Sequence, residues 1–221
     1  MRLFSDSIGR KIVMAVTGLI MVLFVVGHLL GNLSIFNGPD GINAYAEKLH
    51  QLAPLVWGTR VVVGLSVVLH AVLAVQITLE NSAANPTRYA VQRSLKATFS
   101  GKTMIWTGLI LGAFIVYHLL QFTLRVTPGL VLGQDGLGRF DVFGMVVQQF
   151  RIVPIAAIYV VGMIALFLHL KHGIQSTLQT LGWSNETLLP RWGVVGKTLA
   201  GILLVGFGAI PLLILAGIAG N

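Results

Sequence analysis

Four histidines, His28, His70, His118 and His169, each lie in a different long apolar segment of the chain. A titratable side chain inside a bilayer is costly unless it has a partner, so intramembrane histidines indicate a functional site. Neutral imidazole is a common metal ligand, and two imidazoles can hold one haem iron from opposite sides. These residues therefore predict two b-type haems, each with a pair of histidine ligands.

The composition is that of an integral membrane protein. The mean hydropathy is +0.85, and 55% of the 221 residues are hydrophobic while only 10% are charged. A soluble domain carries about 25% charged residues. The net charge of +8 does not indicate nucleic-acid binding, because the basic residues lie at the ends of apolar segments. Lipid headgroups or a docked protein are the expected acceptors there.

Five apolar runs are long enough to cross a bilayer, since a helix needs about 20 residues to span roughly 30 Å of hydrocarbon. The runs are 12–35, 55–79, 104–126, 152–170 and 194–219. We predict an all-α integral membrane protein, a single domain over residues 1–221, whose first four spans form a four-helix bundle around the two haems. The connections between the spans contain the Gly, Pro, Asn and Asp typical of loops and helix ends.

The distribution of Lys and Arg predicts the orientation, because cytoplasmic connections carry the excess of positive charge. The richer side has Arg2, Arg10, Lys11, Arg88, Arg93, Lys96, Lys102, Lys171, Arg191 and Lys197. The poorer side has Lys48, Arg60, Arg125, Arg139 and Arg151. The N-terminus is therefore expected inside and, after five crossings, the C-terminus outside.

The depth of each histidine follows from the helical rise. His28 lies 17 residues beyond Lys11, and His118 lies 16 beyond Lys102. At 1.5 Å per residue both stand roughly 24 to 26 Å above the inner face. The first and third spans both run outward, so these two histidines share an outer level.

The other two histidines belong to spans that run inward. His70 lies 16 residues after Pro54, and His169 lies 18 after Arg151. They stand roughly 24 to 27 Å below the outer face, at an inner level. The predicted pairs therefore join the first span to the third and the second span to the fourth.

Two alternatives bear on these histidines. A single intramembrane histidine is often an interhelical hydrogen-bonding residue, but four at matched depths are poorly explained in that way. His172 follows His169 by three residues on nearly the same helix face, so it is an alternative ligand or a donor to a haem propionate.

The chain contains no cysteine. This excludes a Cys-ligated iron–sulfur cluster, a c-type haem attachment and a disulfide within the chain. If electrons pass through this protein, other subunits must hold the clusters.

Several stretches carry a family resemblance. Ser-Ile-Gly-Arg-Lys at 7–11, Met-Ala-Val-Thr-Gly at 14–18 and Gly-His-Leu-Leu-Gly-Asn-Leu at 27–33 resemble the cytochrome b558 membrane anchor of succinate dehydrogenases and fumarate reductases. The resemblance covers the whole chain, through the five spans, the histidine placement and Asn-Ala-Tyr at 43–45.

The fourth span has one position that is similar to the family pattern and one that departs from it. His169 stands four residues before Gly173-Ile174, as the ligand does in the family, which favours it over His172. Some fumarate reductases of the family place a glutamate two residues before this ligand, where it assists proton transfer across the membrane. Phe167 stands here instead, so that proton route is expected to be missing.

The resemblance implies a place in respiratory complex II of a bacterial cytoplasmic membrane. In this family a flavoprotein subunit interconverts succinate and fumarate at a covalently bound FAD. An iron–sulfur subunit with three clusters connects it to the inner face of the anchor. This chain would contribute two haem b groups and exchange electrons with a quinone, menaquinone by resemblance. The direction of electron flow and any higher oligomer of the complex stay open.

Polar residues near the outer level are candidates for the quinone site, because a quinone needs groups that hydrogen-bond to and protonate its two carbonyl oxygens. Glu47 is the preferred proton carrier, since Asp40 is the only other acidic group in that connection. A solvated loop glutamate is the alternative. The remaining candidates are Asn32, Asn43, Tyr45, His50 and Arg60.

Cations at the helix ends are candidates for contacts with haem propionates. Arg60 lies six residues inside the second span, where its charge needs an anion such as a propionate or must reach outward to water. For the inner haem the candidates are Arg10, Lys11, Lys102, Lys171, His172 and Ser176. Lipid headgroups or the iron–sulfur subunit are alternative partners for most of these.

Two other functions compete with this interpretation. A cytochrome b anchor of a hydrogenase or formate dehydrogenase would have the same haem chemistry, but those families space their histidines differently. A haem-free transporter or anchor would use its histidines for protons or metal. Such transporters often contain inverted repeats, and five spans do not divide in that way.

Overall fold

The computed structural model describes residues 6–84 and 99–220, and in these ranges it is helical with one isolated β-bridge between Gln134 and Phe140. The α-helices are α1 (Ser7–Asn32), α2 (Gly38–Gln51), α3 (Ala53–Ala83), α4 (Phe99–Lys102), α5 (Met104–His118), α6 (Val142–Phe150), α7 (Val153–Thr180) and α8 (Leu188–Leu215). A 3-10 turn, Leu33–Asn37, follows α1, and a π-helical turn, Leu119–Thr123, follows α5. The all-α prediction is confirmed.

Five helical stretches are long and apolar enough to cross a membrane, as predicted. They contain α1, α3, α5 with its π turn, α7 and α8. The fourth membrane-spanning helix, α7, runs to Thr180, ten residues beyond the predicted run. The fifth, α8, begins at Leu188 rather than 194. Hydropathy alone underestimated both, because α7 continues through the polar stretch 171–180 and α8 begins with a turn that contains Pro190 and Arg191.

The first four long helices pack as a bundle. Helix α1 contacts α3 and α7, and α5 contacts α7 and α3, while α8 packs along α7 and touches α1. Small residues permit the closest approaches. Ala200 of α8 is fully buried, and a Cβ on Gly162 of α7 would collide with the Phe114 ring of α5. Helix α8 therefore lies outside the bundle and covers one side of it.

Most of the connection 36–54 forms a helix, α2, rather than a loop. A proline lies in the first turn of α2 together with Asp40, and Lys48 and His50 lie in the last turn. Proline suits the first helical turn, and these charges complement the helix dipole. The residues at both ends of α2 therefore indicate a helix.

A polar cluster joins α2 to the connection between α5 and α7. The Asn43 side chain, fully buried, accepts from the Phe143 N–H at 2.9 Å and donates to Asp135 and Asp141 at 3.1 Å each. Asp141 in turn caps α6 by accepting from the Gly144 N–H at 2.9 Å. The end of the protein that carries α2 and α6, which is the predicted outer end, is thus fixed by hydrogen bonds.

Asp135 is the centre of this cluster. Its carboxylate accepts from the N–H groups of Leu137 and Arg139 at 3.0 Å and from Arg139 Nε at 2.7 Å. Burial disfavours the charged form, but hydrogen bonds from Arg139, Asn43 and Leu137 outweigh it and lower the pKa of Asp135 to about 2.

At the opposite end, α1 and α3 are joined by an ion pair. The two terminal nitrogens of Arg10 donate to the Glu80 carboxylate at 2.5 and 2.7 Å. Four of the cations used to predict the orientation, Arg2, Arg88, Arg93 and Lys96, lie outside the described residues. The orientation therefore stays a prediction.

Candidate functional site

The bundle brings His28 and His118 together at one level. The ring centroids are 5.9 Å apart, and the ring planes are inclined at 84°. His28 lies on α1 and His118 is the last residue of α5. Phe24 stacks on His28 at 5.4 Å, and Phe114 stacks on His118 at 6.0 Å. Both imidazoles are therefore held among aromatic rings.

His70 of α3 and His169 of α7 form a second pair, with ring centroids 6.3 Å apart and planes inclined at 60°. Thr17 of α1 contacts His70 at this level, and His28 lies 11 residues further along α1. At 1.5 Å per residue, the two pairs are separated by roughly 16 Å along the helix axis. These are the two pairs that the helical rise predicts.

The spacing within each pair suits two ligands of one metal ion. Each imidazole Nε2 would lie about 2.0 Å from the metal with its ring centre roughly 1 Å behind, so opposite rings have centres about 6 Å apart. The observed separations are 5.9 and 6.3 Å. Among the described residues, no group of three or more His, Asp or Glu side chains is placed to hold a metal ion.

The tautomer of His70 is fixed by its neighbours on α1. Nδ1 lies 3.0 Å from the carbonyl of Met14, which can only accept, so Nδ1 carries the proton. The Thr17 hydroxyl, 3.4 Å from Nδ1, directs its own proton to the Val13 carbonyl at 2.8 Å. The lone pair of Nε2 is therefore left for a ligand.

His169 of α7 has the same arrangement with residues of α5. Its Nδ1 lies 3.1 Å from the Thr107 hydroxyl, which donates to the carbonyls of Met104 and Thr103 at 3.0 and 3.1 Å. Because the hydroxyl proton is committed to the main chain, Thr107 accepts from Nδ1 of His169. Histidines that bind metals usually donate their other N–H in this way.

A glycine next to each threonine makes room for the imidazole. A Cβ on Gly18 would lie 3.3 Å from Cε1 of His70, and one on Gly108 would lie 3.5 Å from Cε1 of His169. The rings therefore pack directly on the main chain of the neighbouring helix.

The outer pair has different partners. Nδ1 of His118 lies 3.1 Å from the Tyr159 hydroxyl on α7. His28 is contacted by Asn32, whose Nδ2 lies 3.3 Å from both ring nitrogens and donates to the His28 carbonyl at 2.7 Å. Asn32, a quinone candidate from the sequence, thus lies directly against a paired histidine.

Sequence reasoning did not identify Thr17, Thr107 and Tyr159 as partners of the histidines, although a repeated sequence pattern marks the two threonines. Thr-Gly-Leu-Ile occurs at 17–20 and again at 107–110, and His-Leu-Leu occurs at 28–30 and again at 118–120. The offset is 90 residues in both cases, so α1 and α5 share one pattern.

A second pattern relates α3 to α7 at an offset of 99 residues. Leu-His occurs at 69–70 and 168–169, and Gln-x-Thr-Leu follows at 76–79 and 175–178. The bundle therefore contains two copies of a two-helix unit. Each histidine pair joins equivalent positions of the two copies, and each Thr–His contact lies within one copy.

The other residues named for the quinone site separate into different places. Glu47 and His50 line an outer cleft of about 250 Å³ together with Arg139 and Phe140. Asn43 is buried in the polar cluster described above, and Tyr45 lies over Gly31 of α1, where a Cβ would collide with its hydroxyl.

The residues named for propionate contacts also separate. Lys171 and His172 line an inner cleft of about 350 Å³ with Lys197, whereas Arg10 is bound to Glu80. Arg60 is exposed, with its guanidinium 5.0 Å from the ring centre of Trp57. Lys11 and Lys102 are also exposed, and Ser176 is partly buried on α7.

Comparisons with protein-family models, with curated proteins and with solved structures found no match to this chain.

Proposed function

We propose that this protein is the membrane anchor and electron-transfer subunit of a succinate:quinone oxidoreductase. It carries electrons between an iron–sulfur subunit and membrane quinone through two b-type haems. The observation that carries the proposal is the two histidine pairs from four packed helices, with centroid separations of 5.9 and 6.3 Å.

The residues present fit haem iron in three respects. The paired rings have the spacing of opposite ligands. At the inner level each Nδ1 has an acceptor, which leaves Nε2 available. The rings of the outer pair stand among Phe24, Phe114, Phe122 and Phe207, which suits a hydrophobic macrocycle. Haem iron held by two imidazoles passes one electron at a time between its ferric and ferrous states.

The two levels give electrons a path along the membrane normal. A single site could not bridge about 30 Å of hydrocarbon as readily as two sites stacked in one bundle. His70 and His169 hold the inner position, and His28 and His118 hold the outer one. With haems held at both positions, electrons would enter at the inner face and leave at the outer level, or run in reverse.

The outer cleft is the proposed place for quinone protonation. Glu47 and His50 line it, and both are exposed at the end of α2. Glu47 exchanges protons with water, and His50 donates to or accepts from a quinone oxygen. His50 Nδ1 lies 2.8 Å from the Ala46 carbonyl, so Nε2 is the nitrogen left for the quinone.

The inner face is proposed to receive the iron–sulfur subunit, which is joined to the FAD-containing flavoprotein. Lys11, Lys102, Lys171 and Lys197 supply positive charge there. We place the N-terminus in the cytoplasm of a bacterium, the C-terminus outside, and menaquinone as the quinone, all by the family resemblance and the charge distribution.

Haem quantification tests the proposal. Pyridine haemochrome analysis and reduced-minus-oxidised spectra of the purified protein should give two b haems per chain. H28A and H118A should each remove the outer haem, and H70A and H169A the inner one. The matched control is H50A, which lies outside the bundle and should retain both haems.

A haem-free parent protein, or loss of the same haem in all four variants, would contradict the proposal. Purification under mild conditions gives a second readout. The chain should bring with it a flavoprotein with covalently bound FAD, whereas a hydrogenase or formate dehydrogenase subunit would indicate the other cytochrome b class.

A further inference from the structure

A line of buried polar groups leads from His118 to the outer connection. Nδ1 of His118 lies 3.1 Å from the Tyr159 hydroxyl, which donates to Gln121 Oε1 at 2.9 Å. Gln121 Nε2 donates to Gln149 Oε1 at 2.9 Å, and Gln149 Nε2 donates to the Gly129 carbonyl at 2.9 Å. Gln121 and Gln149 are 0% and 1% exposed, so bulk water does not compete for these bonds.

All these hydrogen bonds point the same way. The Gly129 carbonyl can only accept, so Gln149 presents its amide nitrogen there and its oxygen to Gln121. The Gln121 oxygen then takes the single proton of Tyr159, and the Tyr159 oxygen accepts from Nδ1 of His118. His118 therefore carries its proton on Nδ1 and keeps the Nε2 lone pair for a metal.

A local irregularity of the helix accompanies this arrangement. The π turn Leu119–Thr123 begins directly after His118, and the Leu124 N–H donates to the Leu119 carbonyl at 2.7 Å. The extra residue in the turn rotates the segment relative to a regular α-helix. Gln121 lies inside this turn and is fully buried.

The inner level has no counterpart among the described residues. There the Nδ1 acceptors are the Thr107 hydroxyl and the Met14 carbonyl, with no line of polar side chains behind them. A series of hydrogen bonds that point one way polarises each member, so Tyr159 is a stronger acceptor than an isolated hydroxyl.

We propose that Tyr159, polarised by Gln121 and Gln149, is a positioning residue that lowers the reduction potential of the outer haem. The proposal rests on the proposed function, because it requires haem iron on His118. When Tyr159 accepts a hydrogen bond from Nδ1–H, the imidazole gains anionic character, which would stabilise ferric iron more than ferrous iron.

Redox titration of the haem-loaded protein, followed by the absorbance of each haem, tests this inference. Tyr159→Phe keeps the ring, which packs against Phe150 and Phe114 with centroids 4.8 and 5.1 Å away, but removes the acceptor. At a fixed potential we expect the ratio of reduced to oxidised outer haem to rise about tenfold, which is about 59 mV for a one-electron couple. The inner haem should titrate as before.

Two further variants make the result specific. Gln121→Leu leaves Tyr159 in place but removes its acceptor, so the outer potential should rise by less than in Tyr159→Phe. Thr107→Val, the matched control, should change the inner haem alone.

Two results would overturn the inference and leave the proposed function standing. One is an unchanged outer potential in Tyr159→Phe with both haems bound, and the other is an equal shift of both haems. A parent protein without haem would overturn both proposals, and haemochrome analysis would distinguish this case.

Discussion

The Thr107 hydroxyl lies 3.1 Å from Nδ1 of His169 and sends its own proton to the preceding turn of α5. Thr17 has the same relationship to His70 one repeat earlier, at 3.4 Å. Within each two-helix unit, the first helix therefore orients the histidine of the second helix. The two units then present their histidines to each other.

Thr107→Val should weaken haem binding at the inner level. Valine has nearly the shape of threonine but cannot accept a hydrogen bond from Nδ1–H, so the imidazole loses this partner and keeps only the Met104 carbonyl. Loss of such a partner typically costs about 10-fold to 100-fold in metal affinity. Haem titration of the apoprotein measures the effect.

The matched control for Thr107→Val is Thr78→Val on α3. The Thr78 hydroxyl is exposed and donates to the Ala74 carbonyl at 2.7 Å, on its own helix. The Thr78→Val variant should bind both haems as the parent does. Equal affinity of the inner haem in Thr107→Val and the parent would refute the role of the hydroxyl.

Gly18→Val should displace His70 and remove the inner haem. Even a Cβ at Gly18 lies 3.3 Å from the His70 ring, and the valine methyl groups reach further. The ring must move away from α1, and a metal held between His70 and His169 would lose one of its two ligands.

Gly201→Val on α8 is the control for Gly18→Val, because a Cβ there meets nothing within 4 Å. The substitution has the same helix propensity cost but lies outside the bundle. Pyridine haemochrome analysis should give one haem per chain for Gly18→Val and two for Gly201→Val. Two haems in both variants would show that the close approach is not required.

The spans and the two histidine pairs were predictable because both depend on position along one helix. Hydropathy identifies the helices, and 1.5 Å of rise per residue fixes the depth of His28, His70, His118 and His169. Neither step requires knowledge of how the helices are rotated against each other.

The partners of the histidines depend on that rotation and were missed. Tyr159 reaches His118 only because α7 turns this face toward α5, and Gln121 is buried only because a π turn interrupts the α-helical period. The surroundings of Asn43 depend on the same packing. Its quinone role stays a prediction, while in the structure its amide bonds to Asp135, Asp141 and the Phe143 N–H.

The outer connection should loosen in acid. The pKa of Asp135 is lowered to about 2 from its ordinary value of 3.8 by hydrogen bonds that only the folded protein supplies. A lowered folded-state pKa means that the carboxylate stabilises the fold above about pH 4. This contribution is lost as pH falls toward 2.

Limited proteolysis of the connection between α5 and α6 at a series of pH values measures this change. The parent should become more susceptible between pH 4 and 2, because a protonated Asp135 no longer holds Arg139 and Asn43. Asp135→Asn should be susceptible already at neutral pH. Glu186→Gln, in the turn between α7 and α8, should behave as the parent, and an unchanged acid response in Asp135→Asn would contradict the assignment.

Glu47→Gln should slow quinone turnover without changing how the haems are loaded. Glu47 lines the outer cleft with His50, and neither residue touches the histidine pairs. A glutamine keeps the size of the side chain but cannot carry a proton, and losing a positioned acid or base typically costs about 100-fold or more in rate. Succinate should therefore still reduce both haems at the parent rate, while electrons accumulate there because quinone reduction is slow.

Lys48→Gln, one residue along the same exposed helix, controls for a general effect on α2 and should turn over normally. Stopped-flow haem reduction and steady-state quinone assays on the two variants separate these steps. Normal turnover in Glu47→Gln would place the proton carrier elsewhere, with Asp40 the remaining carboxylate of that connection.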